Sequence, residues 1–195
     1  HPINLNLPKR KEKKTAKINL GLSDKTYISF IGLVRKYKGL ETLIRSMKLI
    51  SRDDIKLIIA GEFYEPVDKY LNLINYLGLN EKIIIDNTFL DSKMMRDYIC
   101  ASNLIIQPYI KASQSGITPL CYFYETPFVV SDIEGLKEVV LRDKTGAIFK
   151  KTAENLSSVI LESLEKEKNY NYKQNIKKSK EKYTWLSFIK ELQKL

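Results

Sequence analysis

The feature that most restricts this chain is a set of six short segments that are apolar on successive residues rather than on alternate ones. They are TYISFIGL (26–33), IKLIIAG (55–61), KIIID (82–86), NLIIQPY (103–109), PFVVSD (127–132) and GAIFK (146–150). A strand that alternates apolar and polar residues can leave one face in water, whereas these need cover on both faces. Helical spacing fills the intervals. Leu40, Leu43, Ile44, Met47 and Ile50 recur at three- and four-residue steps, as do Val67, Tyr70, Leu71, Ile74 and Leu77, and then Ala153, Leu156, Val159, Ile160 and Leu164. Each set is one apolar stripe seeking a sheet to cover. Strand–helix alternation of this kind predicts the α/β class: a single Rossmann-like domain, with a doubly wound six-stranded parallel sheet and helices on both faces. The expected boundaries are a linker and basic segment over 1–25, the Rossmann-like domain over 26–166, and a basic linker with an aromatic-containing closing helix over 167–195.

Several chemistries drop out on composition. The one histidine is His1, at the very start, so a histidine triad, a histidine metal cluster and a histidine general base are all excluded within this chain. Cys100 and Cys121 sit in apolar surroundings without metal or redox spacing, and read as reduced core residues of a cytosolic protein. No apolar run reaches membrane-spanning length. The first residue is not Met and no signal sequence is visible, so the chain is expected to be a fragment or a processed product. The net charge of +10 is concentrated in KRKEKKTAK (9–17) and KEKNYNYKQNIKKSKEK (166–182). Such ends can attract nucleic acid, an anionic membrane or an acidic partner; the plainer reading is a lysine-rich solvated surface. They carry no recognisable nucleic-acid motif, so no specific nucleic acid is expected.

In a doubly wound sheet, ligands bind beyond the carboxyl ends of the strands, where strand order reverses. After the first strand comes GLVRKYKG (32–39), which places Gly32 beside Arg35, Lys36 and Lys38. It is neither a dinucleotide fingerprint nor a Walker loop. Its cations suit a phosphate, Arg by bidentate contact and Lys as a point charge. After the fourth strand comes KASQSGITP (111–119). Pro119 is tolerated only in a first helical turn, so the helix must begin near Ser115 or Gly116. The N–H groups of Gly116, Ile117 and Thr118 are then expected to face an anion, with side-chain donors from Ser113, Gln114 and Ser115. Taken singly, the first turn reads equally well as a solvated basic loop, and the second reads better as a capped helix start with nothing bound. Together, after strands one and four of one sheet, they point to a phosphorylated ligand spanning both.

The ordered set FIGLVRKYKGLETLI, LIIAGE and NTFLDSKMMRDYICASNLIIQPYIKASQSGITPLCYFYETPFVVSDIEGLKEVVLRDKTGAIF resembles one known domain. It is similar to the C-terminal, donor-binding domain of family-4 retaining glycosyltransferases (glycosyl transferases group 1) of the GT-B architecture, in the branch that carries PY…QSG. The likeness runs from Phe30 to Phe149, with a fainter extension over YTWLSFIKEL (183–192). His1-Pro2 resembles the point at which such chains leave their N-terminal domain. The resemblance implies that Arg35 and Lys38 hold the donor's diphosphate and carry catalysis. It implies that Ser115, Gly116 and Ile117 meet the donor phosphate or sugar, and that Gly61-Glu62 and Phe89-Leu90 flank the nucleobase. The wider family has two glutamates, eight positions apart, on the donor sugar and ribose; Ser113 and Cys121 stand there instead. Glu138 occupies a family-like position that suits structure as well as ligand contact.

The resemblance therefore implies transfer of a glycosyl group from a nucleoside-diphosphate sugar to a glycan or lipid-linked acceptor. No metal and no cofactor besides the donor substrate are expected. The partner would be an N-terminal Rossmann-like domain of the same protein, and this half alone would be inactive. The expected location is cytoplasmic, with peripheral contact at the inner face of the membrane. Two other readings stand beside it: a basic interaction module for nucleic acid or anionic membrane, and a glycosyltransferase domain that has lost catalysis.

Overall fold

The computed structural model describes residues 7–184 together with residues 187, 189 and 193. His1-Pro2 and most of the closing segment 183–192 lie outside the described residues. Six strands form one sheet: β1 (Thr26–Ile31), β2 (Ile55–Ala60), β3 (Ile83–Asp86), β4 (Leu104–Gln107), β5 (Phe128–Ser131) and β6 (Gly146–Phe149). Every pairing is parallel, in the order β3-β2-β1-β4-β5-β6. The chain starts in the middle, builds outward to β3, then returns to β4 beside β1 and builds the other way. Strand order thus reverses between β1 and β4, at the two segments whose following turns carry the phosphate-suited residues.

The successive apolar residues are buried as the pattern demands. Leu57, Ile58, Ile59 and Ala60 are fully inaccessible, as are Ile28, Leu104 and Ile105. Strands are shorter than the apolar runs because the backbone turns at their ends. β1 stops before Gly32, at φ 96°, and β2 before Gly61, at φ 136°. Pro108, with no N–H to offer a ladder, follows β4.

Helices α2 (Leu40–Leu49), α3 (Asp68–Tyr76) and α7 (Ala153–Leu164) pack in one group, with α2 against both others. Helices α4 (Ser92–Ala101) and α5 (Ile117–Tyr124) pack together in another, while α6 (Glu134–Asp143) lies against β5 and β6. Two further helices fall in the stretches expected to be linkers. Residues Lys13–Asn19 form α1, which packs on α4 and buries Ala16, and Lys166–Ser179 form α8, which packs on α5, α6 and α7 and buries Ile176. These basic ends are structured parts of the same body. Most of their lysines are exposed, as Lys14, Lys166, Lys168, Lys177 and Lys178 are, which is why composition alone reads them as linkers.

Candidate donor site at the strand-order reversal

Two loops build the site. The loop after β1 runs from Gly32 through a 3-10 turn at Lys36–Lys38 to Gly39, the left-handed residue (φ 66°) from which α2 starts. The loop after β4 runs from Pro108 to Gly116, where α5 starts. They are joined through their backbones. The Ile110 N–H donates to the Tyr37 carbonyl at 2.7 Å, and a Cβ at Gly39 would stand 2.0 Å from the Pro108 carbonyl oxygen. Only glycine permits that approach.

Between the loops lies a cleft of about 340 Å³. Gly32, Leu33, Tyr37 and Lys38 line it from one side; Tyr109, Gln114, Ser115, Gly116 and Ile117 line it from the other, with Met95 and Leu120 at its apolar margin. Lys38 is the cation inside it. Its ammonium lies 5.5 Å from the centre of the Tyr109 ring, a cation–π contact. Burial, and then the neighbouring Arg35 charge, bring its pKa down to about 8. It therefore remains mostly protonated at neutral pH.

The start of α5 differs in detail from the sequence expectation. The Ser115 hydroxyl accepts the Ile117 N–H at 3.2 Å, and the Ser115 carbonyl accepts the Thr118 N–H at 3.3 Å. Two of the three amides expected to face an anion thus have partners within the turn. Gly116 is exposed, has an ordinary φ of −66°, and would carry a Cβ with nothing within 4 Å. Its backbone conformation does not require glycine; the open space beside it faces the cleft. Thr118 turns inward, its hydroxyl donating to Gln107 Oε1 at 3.2 Å.

The remaining predicted residues separate from this group. Arg35 does not line the cleft: its guanidinium rests 4.6 Å over the Tyr64 ring, on the exposed side of the same turn. Gly61 approaches Gly32 so closely that a Cβ would lie 2.4 Å from the Gly32 carbonyl oxygen, which accounts for glycine by packing. The Glu62 carbonyl accepts the Val34 N–H at 2.8 Å and so extends the β1–β2 pairing. Phe89 is 72 % exposed, whereas Leu90 is buried in the core. Ser113 is exposed, with its carbonyl pressed against Gly135 of α6. Cys121 is fully inaccessible, and burial raises its thiol pKa; Cys100 is likewise buried and free. Glu138 is exposed on α6 and lines no part of the cleft.

Tyr37 and Tyr109 also line the cleft, although the sequence reading does not single them out. A signal for Tyr109 was present, since it follows Pro108 at the end of a buried strand on the reversal edge. Its hydroxyl lies 3.3 Å from Ser115 Oγ and its ring underlies Lys38, so it connects the two halves of the site. Among the described residues, no group of three or more His, Cys, Asp or Glu could hold a metal ion, and no helix is long and apolar enough to cross a membrane.

Comparison with known proteins gives a consistent result. The family model described as glycosyl transferases group 1 matches residues 11–182. An uncharacterized glycosyltransferase of Methanocaldococcus jannaschii is 26 % identical over 189 residues, covering 92 % of this chain and 47 % of its own length. Among solved structures, Anabaena HepE in complex with UDP-glucose superposes with a TM-score of 0.85 at 15 % identity, over 100 % of this chain and 56 % of that one. The C-terminal domain of a glycosyl transferase group 1 protein from Francisella tularensis gives 0.80 at 16 % identity, over 92 % and 96 %. The chain therefore spans about half the length of the curated relative, and nearly all of a solved C-terminal domain.

Proposed function

Since the chain belongs to the glycosyl transferases group 1 family, we propose that it is the half of a GT-B glycosyltransferase that binds a nucleoside-diphosphate sugar. The observation that carries this reading is the convergence of Lys38 and the Ser115–Gly116–Ile117 turn on one cleft, from loops that follow β1 and β4. The diphosphate lies between the Lys38 ammonium and the Gly116 amide. Arg35 leaves Tyr64 and joins them when the donor arrives, since its stacking on an exposed ring is easily exchanged for a charged partner. Tyr37 and Tyr109 wall the cleft, and the loops at Gly61-Glu62 and Phe89-Leu90 lie toward the base, with Phe89 the side chain free to meet it.

Departure of a nucleoside diphosphate places growing negative charge on the leaving oxygen. A cation and an amide fixed at that position stabilise the transition state more than the ground state. In this reading the reaction proceeds with retention and needs no metal. Cys121 is sealed in the core, so the ribose contact made by a glutamate elsewhere in the family is absent here. Donor affinity then rests on the phosphates and the base. The acceptor, a glycan or a lipid-linked one, is bound by the N-terminal domain of the same protein, and the basic ends favour contact with an anionic membrane surface. The same sealed cysteine also favours a second reading, a domain that binds the donor and no longer turns it over.

UDP is the ligand to try first, because the Anabaena relative was solved with UDP-glucose. Calorimetry with UDP and with GDP should show saturable binding by one of them. Lys38→Ala should weaken it by about 10- to 100-fold, the worth of one charge-assisted hydrogen bond. Absence of binding by both nucleotides at millimolar concentration would sink the reading. Labelled-sugar transfer by the protein with its N-terminal domain attached separates the active reading from the lapsed one.

A further inference from the structure

A second cavity lies at the opposite edge of the sheet, under the amino-terminal ends of β4 and β5. It has a volume of about 400 Å³ and lies between the arm that precedes α1, the carboxyl ends of α4 and α5, and helix α8. Four cations line it, Arg10, Lys11, Lys13 and Lys173, against one carboxylate, Glu125. Some of this charge is matched. Lys11 pairs with Asp97 at 3.3 Å, and Glu125 is shared between Arg10 at 3.8 Å and Lys180 at 2.9 Å.

Lys13 and Lys173 are different. Neither has a carboxylate within ion-pair distance or a hydrogen-bond acceptor among the described residues, and both are partly buried. Burial, then the charges of Lys173, Lys17 and Arg10, lower the Lys13 pKa to about 7; burial, then Arg10 and Lys177, lower that of Lys173. The plain explanation would be that these cations neutralise the carbonyl ends of α4 and α5. Arg10 does so, its Nε donating to the Tyr124 carbonyl at 3.0 Å, but Lys13 and Lys173 make no such bond. Asn103 adds a spare donor: its Oδ1 accepts the Tyr27 N–H at 3.3 Å, while its Nδ2 has no partner among the described residues.

We propose that this cavity is a binding site for a phosphate-class anion, held by Lys13, Lys173 and Arg10. Two like charges drawn from water toward one cavity oppose each other until an anion is placed between them. A phosphate matches two ammonium groups in charge and offers enough acceptor oxygens for the ammonium, guanidinium and amide donors together. Because the cations come from the arm, from the first residue of α1 and from α8, the bound anion fastens segments near both ends of the chain to the body. The site shares no lining residue with the donor cleft.

The test follows thermal unfolding of the 195-residue chain at fixed ionic strength, in a Lys38→Ala background that weakens anion binding in the donor cleft. Pyrophosphate should raise the melting midpoint and saturate. Lys13→Gln or Lys173→Gln should weaken the response by about tenfold or more, as expected for loss of one charge-assisted bond. Without anion, each variant should melt no lower than its parent, because a repulsion has been removed. A second arm uses vesicles containing phosphatidic acid. Co-sedimentation lost in both glutamine variants, with no response to pyrophosphate, identifies a lipid headgroup as the source of the phosphate. The proposal is overturned if the variants respond as the parent does or if neither phosphate source binds. It is equally overturned if either variant melts several degrees lower without anion, which would make the lysines structural.

Discussion

Single residues divide here into those the backbone demands and those that leave room. Gly61→Ala puts a Cβ 2.4 Å from the Gly32 carbonyl oxygen at a φ of 136°, and should destabilise the fold by on the order of 2 kcal/mol or more in urea melts. Gly116→Ala meets nothing within 4 Å at a φ of −66°, so stability should hold or rise by about 0.5 kcal/mol. The same methyl intrudes on the cleft, and UDP binding should weaken even though the melting curve does not. Lys38 gives a matching pH signature. Its folded pKa, about 8, is below the ordinary lysine value of 10.5, so the charged form is disfavoured in the fold. Its contribution to stability therefore rises as pH climbs from 8 toward 10.5, because the unfolded chain binds the proton more tightly. Donor affinity moves the other way, falling as pH passes through 8, and titrations at pH 7 and pH 9.5 should differ in the parent and converge in Lys38→Ala. These distinctions were partly legible beforehand. Lys38 and Gly116 stood out by residue type and place, whereas the separation of Arg35 onto Tyr64, and the burial of Leu90, depend on side-chain packing that no local pattern encodes.

Among the elements, α6 shows how the carboxyl-terminal part is held. Asp143, at its end, has a fully buried carboxylate that accepts from Tyr122 of α5 at 2.8 Å, from Tyr183 at 2.5 Å and from Lys182 at 3.1 Å, with Arg142 beside it at 3.3 Å. Burial by itself would raise its pKa; the hydrogen bonds from Tyr183, Arg142, Tyr122 and Lys182 outweigh it and bring the value to about 2. A carboxylate depressed in the fold stabilises above its unfolded pKa, near 4, and the gain is lost as pH falls toward 2. Asp143→Asn should cost about 3 kcal/mol at pH 7 and close to nothing at pH 2, a contrast read by urea melts at both values. The strands and the stripes of α2 and α7 were readable because apolar residues recur at fixed steps. Helices α1 and α8 were not: α8 buries Asn169, Ile176 and Ser179, only one of them apolar, so its sequence lacks the stripe that marks a helix for packing.

The whole molecule spans 47 % of the length of the Methanocaldococcus relative, and the proposed function assigns it the donor-binding half. The isolated chain is expected to bind nucleotide and transfer no sugar, with activity appearing only when the N-terminal domain is supplied on the same polypeptide; a labelled-donor assay of both forms checks this. The parallel sheet and the shared edge of the turns after β1 and β4 followed from the alternation of buried strands and helices, whereas the strand order itself, with its reversal between β1 and β4, depends on long-range pairing that no local pattern encodes. The cavity at the other edge was invisible in sequence because its cations come from positions 10 to 13 and from 173, distant in the chain and indistinguishable there from solvated lysines. The backbone link between the two cleft loops has a kinetic consequence. With Tyr37 and Ile110 already bonded and Gly39 already against Pro108, an arriving nucleotide has no loop to wait for. Capture is then limited by encounter: its rate rises in proportion to nucleotide concentration without a plateau, and slows with added salt as the attraction of Lys38 is screened.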